Sequence, residues 1–232
     1  MCSTAGMSVT NPCAGSPSTI TFTGIAVPNA TFNWSFSGGT VVSGSGGGPY
    51  TVIWNSPGNY QVDLSVDGNG CATSSTTQFV TVNPVPSATF TSDAQVCAGA
   101  PANINFTGSA PGGATYAWNF NGGNSSGSGS GPYTVSWNTA GNYTMELIVS
   151  ANGCSDTTSN NITVNAIPTS VFNATPVVCT GSPITVNFTG VAGAGANYNW
   201  NFGGGTIVSG SGAGSLHIGL FICRNKFNFT YG

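Results

Sequence analysis

One stretch of the sequence occurs twice and sets the period of the whole chain. Residues 48–60 read Gly-Pro-Tyr-Thr-Val-Ile-Trp-Asn-Ser-Pro-Gly-Asn-Tyr, and residues 131–143 differ from them at only three positions. The two copies begin 83 residues apart, which is longer than a short solenoid repeat but fits a small domain. The sequence therefore predicts a tandem array of small domains, with a third copy of the stretch due near residue 213.

The composition favours strands and excludes several kinds of partner. Only 3% of the 232 residues are charged, whereas 11% are aromatic and 35 residues are Gly. Aromatic and β-branched residues that alternate with small polar ones, interrupted by Gly and Pro, are typical of short strands and tight turns. The two basic residues, Arg224 and Lys226, are too few to neutralise phosphates, so we expect no nucleic acid partner. No stretch reaches the roughly 20 apolar residues of a spanning helix, so we expect no membrane insertion in this segment.

Apolar and polar residues alternate in the same way along the first two units. In unit one, residues 1–86, the side chains of Tyr60, Val62, Leu64 and Val66 are separated by single polar residues, which gives one apolar face. Unit two, residues 87–168, repeats this pattern at every element. Such short strands with turns between them predict an all-β chain of tandem β-sandwiches, with about seven strands per unit. We expect all five Trp in the structural core: Trp34, Trp54, Trp118, Trp137 and Trp200.

Most of the seven cysteines follow the repeat. Cys13, Cys97 and Cys179 are equivalent positions near the start of successive units, and Cys71 and Cys154 are equivalent positions near the end. One Cys near each end predicts a disulfide within each unit, Cys13 to Cys71 and Cys97 to Cys154, each stabilising the fold by about 4 kcal/mol. The alternatives are reduced, buried thiols or a zinc site, although no Cys-x-x-Cys pair occurs. Small β domains use such bridges in oxidising compartments, so disulfides predict an extracellular or periplasmic location.

The third unit begins normally and then departs from the pattern. Residues 169–215 keep the expected apolar positions, but Leu216-His-Ile-Gly follows where Tyr-Thr-Val-x is due. We therefore expect a truncated unit that lacks the strand needed to complete its core and leaves apolar surface uncovered. Codons for residues 216–226 can be chosen so that a shift of one base gives a sequence like that of unit two. Our hypothesis is that residues 216–232 are an aberrant tail made by a frameshift near Ser215, and that the chain is a fragment.

The motifs of the repeat resemble a known family. Tyr116-Ala-Trp-Asn-Phe-Asn-Gly-Gly, followed by Gly-Pro-Tyr-Thr-Val-x-Trp and Gly-Asn-Tyr-x-Met-x-Leu-x-Val, is similar to the polycystic kidney disease (PKD) domain family. More narrowly, it resembles the cysteine-bearing PKD-like repeats of surface and gliding-type adhesins of Bacteroidetes bacteria. The resemblance covers two full units and the first half of the third. It implies tandem immunoglobulin-like sandwiches that serve as spacer or adhesion modules in a secreted multidomain protein.

One departure from the family bears on metal binding. The family's Trp-Asp-Phe-Gly-Asp-Gly turn is replaced by Trp34-Ser-Phe-Ser-Gly-Gly, Trp118-Asn-Phe-Asn-Gly-Gly and Trp200-Asn-Phe-Gly-Gly-Gly. Both carboxylates are missing from all three turns, so we expect no calcium there.

Three other groups of residues have a functional and an ordinary interpretation. The glycine clusters before each repeated stretch lack the Lys and the helix of a phosphate-binding loop, so we expect no nucleotide cofactor. The aromatic sets resemble a sugar-stacking platform, but they share faces with apolar residues and are expected in the core. Asp63 and Asp67 have no counterpart pair in unit two, and His217 stands alone, so no catalytic site is expected.

The sequence thus predicts non-enzymatic spacer or adhesive repeats of a bacterial cell-surface or secreted multidomain protein. Its expected partners are other extracellular proteins or surface glycans. The alternative function is a carbohydrate-binding accessory module that delivers an enzyme to a polysaccharide. A third interpretation is an inert truncated gene product.

Overall fold

The described part of the chain consists of β-strands joined by turns. The computed structural model describes residues 1–68, 70–175 and 182–219, and these contain 19 strands and no α-helix. The predicted all-β class is confirmed. None of the described segments is a helix long and apolar enough to span a membrane.

Unit one is a sandwich of two antiparallel sheets. Its strands are β1 (Met7–Val9), β2 (Pro17–Phe22), β3 (Thr31–Phe36), β4 (Thr40–Ser43), β5 (Tyr50–Ile53), β6 (Gly58–Asp67) and β7 (Ser74–Val82). One sheet has the order β1-β2-β5-β4 and the other the order β3-β6-β7. Ile20 and Val52 of the first sheet and Leu64 and Val80 of the second are buried in one core. The alternation seen in the sequence therefore places its apolar side chains between the sheets.

Unit two repeats this architecture. Its strands are β8 (Phe90–Ser92), β9 (Gln95–Cys97), β10 (Pro101–Phe106), β11 (Thr115–Asn119), β12 (Asn124–Ser126), β13 (Tyr133–Ser136), β14 (Gly141–Ala151) and β15 (Cys154–Asn165). The sheet orders are β12-β13-β10-β8 and β11-β14-β15-β9. β9 runs parallel to β15, with Cys97 opposite Asn165. Unit one has the same feature as a single parallel bridge between Cys13 and Asn83.

The described residues of unit three form one sheet. Its strands are β16 (Phe172–Ala174), β17 (Ile184–Phe188), β18 (Thr206–Ser209) and β19 (Leu216–Gly219), in the order β16-β17-β19-β18. Leu216 lies opposite Val186 just as Tyr50 lies opposite Ile20, so β19 takes the place of β5. The expectation that this strand is lost at Leu216 is wrong. Leu216 and Ile218 alternate as Tyr50 and Val52 do, and both are fully buried.

The described residues include only the first four residues of the unusual tail. Residues 220–232, which include Cys223, Arg224 and Lys226, lie outside the described residues, and so does Cys179. The predicted frameshift concerns the gene and stays a prediction. Within residues 182–219, no strand faces the four-stranded sheet of unit three, and Trp200 and Phe202 pack against its inner side from a non-strand segment.

Candidate functional site

The repeated stretch supplies buried aromatic packing to each complete unit. Trp54 is 1% exposed, and its indole Nε1 donates a hydrogen bond to the carbonyl oxygen of Ser37 at 3.0 Å. Tyr60 stacks on Trp54 with ring centroids 5.7 Å apart, and its hydroxyl donates to the carbonyl oxygen of Ser56 at 2.9 Å. Trp137 is 2% exposed in the same setting in unit two. This stretch therefore contributes stability, since buried aromatic pairs with satisfied polar atoms strengthen a core.

The glycine clusters are hydrogen-bonded turns that are covered by a second set of tryptophans. The indole Nε1 of Trp34 donates to the carbonyl oxygen of Gly46 at 3.0 Å, and Trp118 does the same to Gly129 at 3.1 Å. Trp200 repeats the contact in unit three at 3.1 Å. All three tryptophans are partly buried against the core of their own unit. In each glycine cluster one carbonyl oxygen accepts a hydrogen bond from a tryptophan indole, so the clusters have a structural role.

Exposed aromatic side chains are rare on the described surface. Phe79 is 62% exposed, and it is the one aromatic residue in the described ranges that belongs to the exposed class. A cavity in unit three is lined by further aromatic side chains, among them Tyr198 and Trp200, which are partly buried. Within the described ranges, Phe79 therefore has no fully exposed aromatic neighbour with which to form a sugar-stacking platform.

The acidic side chains of unit one make hydrogen bonds to neighbouring side chains on the same sheet. Thr77 donates its hydroxyl to Oδ1 of Asp63 at 2.6 Å, and the amide of Gln61 donates to both carboxylate oxygens of Asp63 at 2.8 and 3.0 Å. These two hydrogen bonds, that of Thr77 first, lower the pKa of Asp63 below its ordinary value of 3.8. The hydroxyl of Thr73 donates to Asp67. The hydrogen bonds from Thr77 and Gln61 favour the charged form of the Asp63 carboxylate.

Two aspartates of unit two bond to the backbone, and the histidine has a threonine neighbour. Asp93 accepts the backbone N–H of Asn103 and Asp156 that of Ala88, both at 2.8 Å. The Nδ1 atom of His217 lies 3.3 Å from the hydroxyl of Thr185. Within the described ranges, no three His, Cys, Asp or Glu side chains come together as a group that could hold a metal ion.

Among the described cysteines there are two disulfides, and one of them joins unit one to unit two. Cys13 is bonded to Cys154 with the Cα atoms 5.7 Å apart, and Cys2 is bonded to Cys71 with the Cα atoms 5.8 Å apart. Cys97 is a free, exposed thiol. The pairing predicted from the sequence, Cys13 with Cys71 and Cys97 with Cys154, is therefore wrong.

The position of the cysteines along β7 explains the correction. Cys71 lies just before β7, and Cys13 is bridged to Asn83, which comes just after β7. A strand of nine residues at about 3.3 Å per residue separates these ends by about 30 Å. A disulfide requires Cα atoms within about 7 Å. Cys13 and Cys71 thus lie at opposite ends of their own sandwich, where Cys13 is bonded to unit two and Cys71 to Cys2 of unit one.

Polar contacts surround the disulfide between the units. Asn83 donates its side-chain Nδ2 to the carbonyl oxygen of Asn152 at 3.1 Å, and the Sγ atom of Cys13 lies 3.7 Å from the carbonyl oxygen of Gly153. Asn152 and Gly153 have φ values of 51° and 79°, the left-handed pair typical of a tight hairpin turn. This turn joins β14 to β15 and directs its carbonyl oxygens at unit one. We call these five residues, Cys13, Asn83, Asn152, Gly153 and Cys154, the junction, and it is the candidate functional site.

The sequence contains a signal for the junction that alternation does not use. Asn-Gly-Cys occurs at residues 69–71 and again at residues 152–154, directly after the longest predicted strand of each unit. Asn-Gly favours a two-residue hairpin turn, so a Cys that follows it is held at the tip of a hairpin. At residues 152–154 the turn holds Cys154 where it is bonded to unit one, whereas Cys71 is bonded to Cys2 of its own unit.

Two models of the PKD domain family match the chain, one over residues 6–81 and the other over residues 83–164. No curated protein matches the sequence. Among solved structures, the chain is similar to the N-terminal eight Ig domains of Down Syndrome Cell Adhesion Molecule (DSCAM) isoform 1.30.30, with a TM-score of 0.54 and 14% identity. That likeness covers 96% of this chain and 33% of the DSCAM structure.

Two further solved structures of Ig domains are similar at lower scores. The first is the structure of titin domains I67–I69 in an E-to-A mutated variant, with a TM-score of 0.44 and 13% identity, and the likeness covers 94% of this chain and 88% of the titin chain. The second is the structure of Sidekick-1 immunoglobulin domains 1–5, with a TM-score of 0.41 and 14% identity, and the likeness covers 95% of this chain and 54% of the Sidekick-1 chain. The DSCAM likeness shows the immunoglobulin-like fold alone.

Proposed function

Because the chain belongs to the PKD domain family, we propose that it forms non-enzymatic spacer and adhesion repeats of a bacterial cell-surface or secreted multidomain protein. PKD and immunoglobulin-like domains are generally non-catalytic structural modules. The proposed work of these units is to hold a fixed distance and to carry tension between the parts of a larger protein.

The junction is the observation that carries this proposal. A disulfide and a hydrogen bond connect unit one directly to unit two, in addition to the peptide chain. The linker at residues 83–86 carries two prolines, which restrict backbone rotation. Three connections at one contact leave little freedom for the units to bend against each other. A stiff connection of this kind suits a spacer, whereas a mobile binding module does not need it.

The chemistry of the chain supports an oxidising location. Two disulfides fit a protein that works outside the cytoplasm, where thiols are not kept reduced. The first Lys or Arg in the sequence is Arg224, so trypsin has no cleavage site in residues 1–223. We expect this part to resist trypsin even when it is unfolded and reduced. Resistance of that kind is useful to a protein exposed to extracellular proteases.

Pulling the full chain by its two ends in a force spectrometer tests the spacer function. Cys13 and Cys154 are separated by 141 positions in the sequence, and their disulfide prevents this segment from extending. On complete unfolding, the end-to-end length of the oxidised chain should therefore be about 500 Å shorter than that of the reduced chain. We expect the reduced chain to show this extra length, and the segment between Cys13 and Cys154 to stay closed under load in the oxidised chain. Equal extension in both states would contradict a junction that carries tension.

Pull-down with chitin, cellulose and surface polysaccharides tests the alternative of a carbohydrate-binding module. The proposed spacer predicts no saturable binding, and Phe79 is the most exposed aromatic side chain in the described ranges. Saturable binding that is lost in Phe79→Ala would contradict a pure spacer and favour the sugar-binding function. Asp63→Asn, at a polar position that carries no aromatic face, is the matched control.

A further inference from the structure

Cys97 of unit two lies in the same backbone setting as Cys13 of unit one. After Cys13, the N–H of Ala14 donates to the carbonyl oxygen of Asn83 at 2.9 Å, and the N–H of Gly15 donates to that of Trp54 at 2.8 Å. After Cys97, the same two bonds run from Ala98 to Asn165 at 2.8 Å and from Gly99 to Trp137 at 2.7 Å. The two cysteines therefore occupy equivalent positions in three dimensions, at the same end of each sandwich.

The partners of these two cysteines differ. Cys13 is bonded to Cys154 of the following unit, whereas the thiol of Cys97 is free and exposed. The neighbouring asparagines differ in the same way. Asn83 donates its side-chain amide to the hairpin turn of the following unit at 3.1 Å, but the amide of Asn165 contacts only the side chain of Gln95, at 3.4 Å. Unit two thus presents both groups that unit one uses at the junction, and within the described ranges neither is bonded to another unit.

The partner that fits Cys97 and Asn165 can be inferred from the junction between units one and two. At the junction, Asn83 and Cys13 bind the Asn-Gly-Cys hairpin turn of residues 152–154. The same tripeptide occurs at residues 69–71, where Cys71 is bonded to Cys2. Neither Cys179 nor Cys223 follows Asn-Gly in the sequence, so this tripeptide occurs nowhere in unit three. The partner for Cys97 is therefore a turn that the present sequence of unit three does not contain.

We propose that Cys97 and Asn165 form a docking site for the Asn-Gly-Cys hairpin turn of a complete PKD-like unit that follows unit two, and that Cys97 forms a disulfide with that turn's cysteine. Asn165 would donate its amide to the turn's Asn carbonyl oxygen, as Asn83 does to Asn152. The same contact then repeats from one unit to the next, so that every pair of neighbours in an array is covalently joined. This inference rests on the proposed spacer function only in requiring an array of units.

The bond is made by thiol–disulfide exchange with a low-molecular-weight disulfide or a disulfide oxidoreductase. The thiolate of one protein cysteine attacks that disulfide and forms a mixed disulfide, which releases one thiol. The second protein thiolate then attacks the mixed disulfide at the protein sulfur and displaces the other thiol. Two protein thiols become one disulfide, and the two electrons and two protons reduce the oxidant to two thiols.

A grafted chain tests the docking site against the pairing that spacing alone predicts. Residues 216–232 are replaced by a copy of residues 133–164, which gives unit three the strands and the Asn-Gly-Cys turn of unit two. The full chain is refolded in a glutathione buffer, free thiols are alkylated, and disulfide-linked chymotryptic peptides are identified by mass spectrometry. The control graft carries Ser in place of the copied Cys, and in it Cys97 should be alkylated.

We expect the grafted cysteine to be linked to Cys97 and Cys179 to be alkylated. A link from the grafted cysteine to Cys179 would overturn the proposal, because it would mean that pairing within a unit is preferred. Alkylation of both Cys97 and the grafted cysteine, in a chain that unfolds cooperatively, would overturn it as well. In either case the extension measured between Cys13 and Cys154 under force is unaffected, so failure here is distinguishable from failure of the spacer function.

A second variant tests the equivalence of the two positions without a graft. In the variant Cys154→Ser, Cys13 has lost its disulfide partner. Its rate of reaction with iodoacetamide should then lie within about threefold of the rate for Cys97 in the unmodified chain, because thiol reactivity follows exposure and thiolate fraction. Protection of Cys13 by a new bond to Cys71, or a rate that differs from that of Cys97 more than about tenfold, would show that the two positions are not the same docking site.

Discussion

The side-chain amide of Asn83 donates a hydrogen bond to the carbonyl oxygen of Asn152 at 3.1 Å, and this bond crosses from unit one to unit two. Cys13 and Cys154 are bonded to each other beside it. The amide therefore holds the hairpin turn in the orientation in which the two sulfur atoms meet. A hydrogen bond that positions two thiols raises their effective concentration, which makes the disulfide harder to reduce.

Asn83→Ala should make the disulfide between Cys13 and Cys154 easier to reduce. Loss of one net hydrogen bond corresponds to about a twofold to tenfold fall in the equilibrium constant for disulfide formation. Titration with glutathione, read by alkylation and mass spectrometry, measures that constant. Asn165→Ala is the matched control, because in the described part of the chain the equivalent amide bonds to Gln95 of its own unit. An equal change in both variants would argue against a role for Asn83 in positioning the turn.

Cys13→Ser should lower the stability of the oxidised protein. The disulfide restricts an unfolded chain segment with a sequence separation of 141, so the chain-entropy model gives a loss of up to about 5 kcal/mol. Urea unfolding followed by tryptophan fluorescence measures the change. Cys97→Ser removes a free thiol of the same kind and should leave the unfolding midpoint unchanged. If reductant does not bring the midpoint of the original chain down to that of Cys13→Ser, the disulfide is not the cause.

The strands that carry the core could be predicted because their side chains alternate between the core and water. Val62, Leu64 and Val66 are all buried on β6, as their period of two requires. Two strands at the edges of the sheets, β4 and β12, could not be predicted because they lack this alternation. Every residue of β4 and of β12 is exposed, so these segments carry no alternation that a sequence pattern can show. Their positions depend on backbone hydrogen bonds to β5 and β13.

The disulfide partners could not be predicted from spacing, because spacing does not show which end of a sandwich a cysteine occupies. Cys13 and Cys71 belong to one unit in sequence, yet the length of β7 separates them. The Asn-Gly-Cys turn was a usable signal, since it places a cysteine at the tip of a hairpin. β19 shows the converse case: Leu216-His-Ile-Gly departs from the repeated stretch but keeps its alternation, and that is sufficient to form the strand.

Gly123→Ala should destabilise unit two. A Cβ atom at this position would lie 2.6 Å from Cγ1 of Val135 and 2.7 Å from Cε2 of Trp137, and both of those side chains are buried. Overpacking of a core costs about 1–3 kcal/mol, so the urea midpoint of unit two should fall by a corresponding amount. Gly112→Ala, at a position where a Cβ atom meets nothing within 4 Å, is the control and should change little. Equal midpoints for the two variants would contradict close packing of Gly123 on Trp137.

The pKa of Asp63 should lie below 3.8, and Thr77→Ala should raise it. The Thr77 hydroxyl bonds to Oδ1 of the charged carboxylate at 2.6 Å and is the main cause of the lowered pKa. The pKa of Asp63 is lower in the folded state than in the unfolded state, so ionised Asp63 stabilises the fold at pH values above the unfolded-state pKa. This stabilisation is lost as the pH falls through the folded-state pKa. An NMR titration of the Asp63 carboxyl carbon measures the value.

Ser75→Ala, at an exposed position on the same strand as Thr77, is the control and should leave the pKa of Asp63 unchanged. A pKa of Asp63 at or above 3.8 in the unmodified chain would contradict the hydrogen bonding described for this sheet.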